Sequence, residues 1–288
     1  MTDFLATLVE PLAYQFAQRS LLALILVGGL SAVVGSFMVA RGLAFFGDAL
    51  SHAVLPGVAI AYTTGGGAVG SNLFIGGLGA GILTAFGIVL LTHDRRLKED
   101  TAIGIAFVTM FALGIAIIST RPSYSADLTH ILFGSLSGIS DTDLSFMAVL
   151  GSMVLLLILI FYKQLVIVCF DPELGHVLRL PVLFLRTLLL VLVAVTIVLS
   201  LQAVGVALML AMLLTPAATA RLLVRRMPGM ILLAAILGCG GGIFGFYLSW
   251  MLNIPPGSAI VLVLSAVFGI VYAGRALRQA WHRRRVSA

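Results

Sequence analysis

A carboxylate and an imidazole stand four residues apart in one apolar stretch of this sequence, as Asp48 and His52. Positions i and i+4 lie on one face of an α-helix, so both side chains can point at one ligand or at one partner helix. Ionisable side chains at membrane depth are costly and usually mark a substrate site or an aqueous path. The spacing therefore predicts binding or passage of a substrate. An interhelical hydrogen bond or salt bridge that only packs the bundle is the open alternative.

The composition indicates which class of protein must position this pair. Of the 288 residues, 61% are hydrophobic and 10% are charged, whereas a soluble domain has about 25% charged residues. These values exclude an ordinary soluble domain and predict an all-α, polytopic membrane protein. The net charge of +6 arises from basic residues between apolar spans, so it indicates topology and requires no nucleic-acid partner. Cys169 and Cys239 match no metal or redox spacing and are interpreted as packing residues.

The apolar runs predict about nine membrane-spanning helices, within a range of about eight to ten, in one integral domain. The expected spans are 20–40, 42–63, 72–92, 101–120, 144–162, 182–200, 203–220, 230–250 and 258–272. Residues 1–18 are predicted to form an interfacial helix that lies on the membrane. The polar segment 121–143 is too broken to span, so we interpret it as a re-entrant or surface element.

The distribution of basic residues predicts the orientation of these spans. With the amino terminus outside, all but two of the 17 lysines and arginines fall on the inner side, the exceptions being Arg19 and Arg121. The positive-inside rule favours this arrangement over its inverse. It places a basic tail, residues 275–288, in the cytoplasm, where the tail anchors the topology and contacts anionic lipid.

Prolines and a glycine mark two helices that are predicted to bend. Pro56 has no backbone donor and its ring clashes with the carbonyl of His52, so the second span should be kinked beside the imidazole. The seventh span combines Gly205 and Pro216 with small residues, which favours a hinge. A tight and static helix contact is the alternative for the seventh span.

A polar island at residues 170–181 interrupts the apolar spans on the predicted inner side. We expect a short helix with Pro172 in its first turn and Pro181 at its end. Leu174 and Leu178 are at helical spacing, so one face can enter an apolar cleft while its rim is charged. An amphipathic helix on the membrane surface is the alternative.

The sequence has no pattern typical of ATP hydrolysis or covalent catalysis. A P-loop needs a lysine between glycine and Ser or Thr, and neither Lys98 nor Lys163 has that context. No Gly-x-Ser-x-Gly and no His-Glu-x-x-His pattern occurs. We therefore expect a protein that is not itself an enzyme and has no energy source of its own.

The stretch from Arg41 to Gly57 resembles the signature of the membrane permease subunit of bacterial zinc, manganese and iron ABC importers. Its block Gly-Asp-Ala-x-Ser-His-Ala-x-x-Pro-Gly, residues 47–57, is highly specific. Three further stretches are similar to the same family, and they are Glu99 to Gly104, Leu132 to Ser135 and Gly205 to Ala220. Gly42 departs from the family, because many members have a second basic residue there.

This resemblance implies a bundle like that of type II ABC importer permeases, working as a homodimer in the bacterial cytoplasmic (inner) membrane. Two ATPase subunits would bind ATP below it, a metal-binding solute-binding protein would dock above it, and no cofactor would be bound permanently. The island at 170–181 stands where related importers carry a cytoplasmic coupling helix. This assigns ATPase contacts to Asp171, Pro172, Glu173, Leu174, Leu178 and Arg179.

Within the resemblance, Asp48 and His52 are the candidate ligands of the transported metal ion. An Asp oxygen with a His nitrogen suits Zn(II), Mn(II) and Fe(II) alike, and we favour zinc slightly, then manganese and iron. A transport site should be incomplete, because a full cage would not release the ion. His130 matches no family ligand and is interpreted as a surface histidine.

Other functions remain open at this stage. A stand-alone ion-coupled carrier would use the same pair but usually shows an internal repeat, and no second Asp-x-x-x-His segment is evident. A permease of the same fold could carry a metal chelate. An intramembrane enzyme would need a further catalytic group in a span. Copurification with an ATPase separates an ABC permease from the carrier and the enzyme.

Overall fold

The computed structural model describes residues 10–64, 71–92, 97–120 and 136–286, and these residues form helices without a strand. Two short 3-10 helices occupy Glu10–Ala13 and Leu136–Gly138. The α-helices are α1 (Gln15–Arg41), α2 (Ala44–Ala53), α3 (Leu55–Thr64), α4 (Ser71–Leu91), α5 (Glu99–Ser119), α6 (Asp141–Ile160), α7 (Tyr162–Phe170), α8 (Pro172–Val177), α9 (Val182–Leu223), α10 (Met227–Leu252) and α11 (Pro256–Val286).

The longest helix, α9, crosses the bundle twice. It has 42 residues, and a straight helix would separate Arg186 from Arg221 by about 52 Å. Both arginines nevertheless lie at the end of α1, because Arg186 shares Glu99 with Arg41 and Arg221 donates a hydrogen bond to the carbonyl of Val39. Eight segments of the described chain are long and apolar enough to cross a membrane, with α2 and α3 counted as one. Counting α9 twice therefore gives nine crossings, the number predicted.

The chain reverses at Gly205, whose backbone angles (φ 77°, ψ 172°) are non-helical inside α9. This region of backbone space is essentially restricted to glycine. The first half of α9 runs antiparallel to α1, with Ser31 Oγ and Ser200 Oγ 3.3 Å apart. The predicted boundary between spans 182–200 and 203–220 is a few residues too early, since helical backbone continues up to the glycine.

The centre of the bundle is built from α1, which contacts both α9 and α10. Its largest buried side chains include Leu24, Phe37 and Met38, and α9 contributes Leu189 and Ile197. The helices α2 to α5 form a layer beside this centre, in which α3 packs on α4 and both α2 and α3 pack on α5. This layer carries Asp48 and His52.

Charged and aromatic side chains mark the two ends of the bundle. We call the end that carries Arg41, Glu99, Arg186 and Arg221 the basic end. At the opposite end, the rings of Tyr14, Phe16 and Trp250 pack with centroids 5.7 to 6.2 Å apart, and such aromatic clusters are typical of a membrane–water interface. The assignment of the basic end to the cytoplasm stays a prediction.

The amino-terminal helix differs from the predicted interfacial helix at 1–18. Residues 1–9 lie outside the described residues, and Glu10–Ala13 is a separate 3-10 turn. The first span already begins at Gln15. Pro11 is buried and has no amide hydrogen to donate, which favours a short turn here over a continuous helix.

Three more helix ends differ from the sequence-based expectation. The fifth span ends at Ile160 and is followed by α7, a helix that the sequence analysis did not predict. The helix α8 ends at Val177, because Arg179 adopts a left-handed backbone (φ 54°). Pro181 was expected to end this helix, but it directly precedes α9. The basic tail is not a separate segment up to residue 286, since α11 continues through it.

Candidate metal centre and coupling surface

A tight turn after α1 determines where Asp48 and His52 stand. Gly42 adopts a left-handed conformation (φ 75°), and its amide donates to the last turn of α1. This arrangement is a common helix ending that strongly prefers glycine. It starts α2 at Ala44, directly beside the end of α1.

The two candidate ligands share one face of α2, as their spacing predicts. His52 Nε2 lies 3.9 Å from Asp48 Oδ1, which is too long for a hydrogen bond and leaves both atoms available to a shared ligand. The Asp48 side chain is 46% exposed and that of His52 is 28% exposed. Their role as metal ligands stays a prediction at this point.

The pair lies in the half of the second span that begins at the basic end. Since α2 begins at that end, Asp48 stands about 6 Å and His52 about 12 Å along the helix from Ala44. The predicted span, residues 42–63, places both residues in the same half.

The His52 imidazole packs against two phenyl rings of α5. Its centroid lies 5.8 Å from that of Phe107 and 5.6 Å from that of Phe111, with an angle of 78° between the His52 and Phe111 planes. The two phenyl rings stack on each other at 5.7 Å. His52 Nδ1 is buried and has no hydrogen-bond partner, so within the described residues only Nε2 faces the carboxylate.

The described residues provide no third ligand from the same chain. No group of three His, Cys, Asp or Glu side chains suited to a metal ion occurs among them. In the same part of the chain, Asp48 forms no ion pair with another helix. Within the described chain, the interhelical salt bridge of the alternative interpretation is therefore not formed.

A buried ion cluster joins three helices at the basic end. Glu99, at the start of α5, accepts from Arg41 at 3.0 Å and from Arg186 at 3.3 Å. Arg186 also donates to the hydroxyl of Thr92 at 2.7 Å. The side chains are only 9% exposed for Arg41, 19% for Arg186 and 22% for Glu99. The cluster connects α1, α5 and α9 close to the start of α2.

Pro56 stands next to a break in the second span. α2 ends at Ala53, α3 begins at Leu55, and Val54 lies between them with helical backbone angles. The kink predicted at Pro56 stays a prediction. Pro56 and Gly57 also line a cavity of about 870 Å³ between α3, α4 and α5. Ile105 and Thr109 of α5 also line this cavity. Asp48 and His52 are not among its lining residues.

The predicted coupling segment presents an apolar surface at the basic end. Asp171 accepts a hydrogen bond from the Leu174 amide at 3.0 Å and so caps α8, with Pro172 in the first turn. Leu174 and Leu178 are 44% and 51% exposed. Glu173 and Arg179 are also exposed and supply charge around these leucines. This arrangement fits a helix that enters a partner's cleft.

The two predicted hinge positions in the seventh span differ in the structure. Gly205 carries the reversal of α9, whereas Pro216 is buried in helical backbone. Pro216 cannot donate to the carbonyl of Met212. The hydroxyl of Thr219 bonds to Thr215 and not to that carbonyl. Movement at either position stays a prediction.

Sequence reasoning missed the ion cluster and the two phenyl rings. Glu99 was singled out only through the family resemblance, and its partners lie 58 and 87 residues away in sequence. Phe107 and Phe111 are two among 17 phenylalanines. Their i, i+4 spacing is the one signal that could have placed both on a single face. His130 and the Leu-Phe-Gly-Ser element lie outside the described residues.

Comparison with known proteins places this geometry in a family. Residues 13–274 match the ABC 3 transport family. The manganese transport system membrane protein MntC of Halalkalibacterium halodurans is 43% identical over 261 residues, which cover 91% of this chain and 88% of that protein. A probable iron transport system membrane protein of Haemophilus influenzae is 37% identical and covers 94% of this chain and 98% of its own length.

A solved structure has the same fold. The chain superposes on PsaBC from Streptococcus pneumoniae in complex with Fab with a TM-score of 0.80 and 39% sequence identity. The match covers 93% of this chain and 95% of that chain. The described helices are therefore arranged as in a known membrane complex.

Proposed function

Because this chain belongs to the ABC 3 transport family and is a multi-pass membrane permease, we propose that it moves a divalent transition metal ion through Asp48 and His52. The observation that carries the proposal is the exposure of both side chains on α2 without an ion partner on another helix in the described chain. A carboxylate facing hydrocarbon is costly. The pair therefore faces a path or a second protomer.

A second copy of the chain would complete both the path and the site. Two ligands from each protomer give four donors, the number that a tetrahedral ion accepts, while water supplies the remaining positions of an ion that prefers more. A site shared between two chains opens when the chains move apart. Such a site can bind the ion during passage and release it afterwards.

We propose manganese as the first cargo to test. Carboxylate oxygen is a donor that manganese accepts well, and imidazole extends the choice to iron and zinc. The names of the relatives favour manganese at 43% identity and iron at 37%. The slight preference for zinc that rests on the ligand pair alone stays a prediction, and the next experiment compares all three metals.

An uptake competition assay tests the cargo directly. Cells that express this chain with its neighbouring transport subunits take up labelled manganese in the presence of an excess of unlabelled manganese, iron(II), zinc or a metal chelate. We expect manganese to compete best and the chelate not to compete. Competition by the chelate alone would indicate a chelate permease, and the absence of metal-specific uptake would contradict the proposal.

The energy for transport would come from two ATPase subunits that bind at the basic end. The exposed leucines of α8 and the charged residues around them support this placement. The basic end would then face the cytoplasm of a bacterial inner membrane, and a solute-binding protein would deliver the metal ion at the opposite end. An ion-coupled carrier without an ATPase is the competing function.

The α8 surface gives a sharp test of the ATPase contact. Replacing Leu174 and Leu178 by Asp should release the ATPase, because a partner cleft would then bury unpaired carboxylates. Central interface residues often contribute about 2 kcal/mol or more, which is roughly 30-fold in affinity. The measurement is copurification of the ATPase with the tagged permease. Leu223→Asp, at an exposed leucine near the basic end, is the matched control, and full copurification of the double variant would contradict the contact.

A further inference from the structure

We propose that Phe107 and Phe111 are positioning residues that hold the His52 imidazole with Nε2 toward Asp48. This inference rests on the proposed function, since it concerns how one of the two metal ligands is oriented. It assigns to α5 a direct part in the site, although α5 carries no candidate ligand near the pair.

The two rings form a platform beside the imidazole. Phe107 and Phe111 are one helical turn apart and stack with an interplanar angle of 23°. The imidazole lies near both rings, tilted by 59° to Phe107 and close to perpendicular to Phe111. Edge-to-face and tilted pairs at these distances are favourable aromatic contacts. Phe45 of α2 adds a third ring, at 6.4 Å from Phe107.

The imidazole of His52 has the phenyl platform beside it and, among the described residues, lacks the usual hydrogen-bond partner of a metal-bound histidine. Such a histidine normally donates its second ring N–H to a carboxylate, a carbonyl or water, which fixes the ring and makes it more basic. Here Nδ1 is buried and finds no acceptor among the described residues. Packing on phenyl rings fixes the orientation without strengthening the ligand, which suits a site that must release its ion.

Simple helix packing makes a different prediction for the same contacts. If the rings only pack α5 on α2, leucine should serve nearly as well, because it keeps most of the buried apolar surface. If the flat rings orient the imidazole, leucine should weaken metal binding while tyrosine should preserve it. The Phe107 and Phe111 side chains are partly exposed, so neither replacement removes a fully buried core residue.

Cobalt(II) binding to the full-length chain in lipid nanodiscs separates these readings. Co(II) reports its ligands through its visible absorption bands, and the probe is the metal ion alone. We expect Phe107→Leu with Phe111→Leu to weaken binding about tenfold, the lower end of the range for lost outer-shell support, and to shift the bands. The double variant Phe107→Tyr with Phe111→Tyr should keep the wild-type Co(II) affinity and the wild-type absorption bands. Phe244→Leu, at an exposed ring on α10, should behave as the wild type.

The outcomes separate this inference from the proposed function. Wild-type affinity and bands in the double leucine variant, with binding lost in His52→Ala, would overturn the positioning role alone. Wild-type binding in His52→Ala would overturn the metal site itself. Weak binding in the tyrosine variant would contradict the role of the rings. If the double leucine variant does not elute as a folded protein in gel filtration, Co(II) affinity and bands are measured for the two single leucine variants, and the same outcomes apply to them.

Discussion

Metal uptake is expected to fall to background when either Asp48 or His52 is replaced by alanine. Each change removes one of the two proposed ligands of a protomer, so the proposed site between two protomers would hold two donors in place of four. Loss of an outer-shell partner alone typically weakens metal binding by about 10- to 100-fold, so loss of a direct ligand should have a larger effect. The measurement is the uptake of radioactive manganese by cells that express each alanine variant.

The same variants should insert and assemble normally. His52 Nδ1 makes no hydrogen bond and Asp48 is half exposed in the described chain, so alanine breaks no stabilising polar contact. Unchanged amounts in the membrane and unchanged ATPase copurification would show this. Asp100→Ala removes a neighbouring exposed carboxylate in the first turn of α5 and serves as the control. Normal uptake in either the Asp48 or the His52 variant would remove the pair from the transport path.

Most spans were predictable because a membrane leaves the backbone few options. Each backbone N–H and C=O must be satisfied inside its own segment, so long apolar runs become helices. The kink predicted at Pro56 rests on the related reason that proline removes one of those bonds. The reversal between the spans 182–200 and 203–220 was also predicted, whereas the continuation of helical backbone up to Gly205 and the backbone angles of that glycine were not.

The surroundings of the site were not predictable from local pattern. Phe107 differs in no sequence property from phenylalanines that face lipid, because helix faces buried in protein and in lipid are equally apolar. The pairing of Glu99 with Arg41 and Arg186 depends on where three separate helices end. The candidate ligands Asp48 and His52 were therefore visible in the sequence, whereas the side chains that surround them required the tertiary structure.

The ion cluster at the basic end gives the second large expected effect. Glu99→Ala leaves Arg41 and Arg186, both largely buried, without their shared carboxylate. Removing one partner of a buried ion pair costs about 3–5 kcal/mol, because the remaining charge is uncompensated. We expect a lower melting temperature of the purified protein and a lower yield in the membrane, with Glu99→Gln intermediate. Asp100→Ala should leave the melting temperature and the membrane yield close to those of the wild type.

A triple replacement determines whether the cluster does more than stabilise the fold. Buried ion groups can often be exchanged for apolar residues of similar volume without loss of stability, so Arg41→Met, Glu99→Met and Arg186→Met together should recover the melting temperature. The cluster joins the start of α9, which follows α8, to the start of α5, which carries Phe107 two turns later. If these helices must move as one unit, the recovered protein should still transport metal poorly, and the ATPase subunits bound to it should hydrolyse ATP without coupling to transport. Normal uptake in the triple variant would limit the cluster to a structural role.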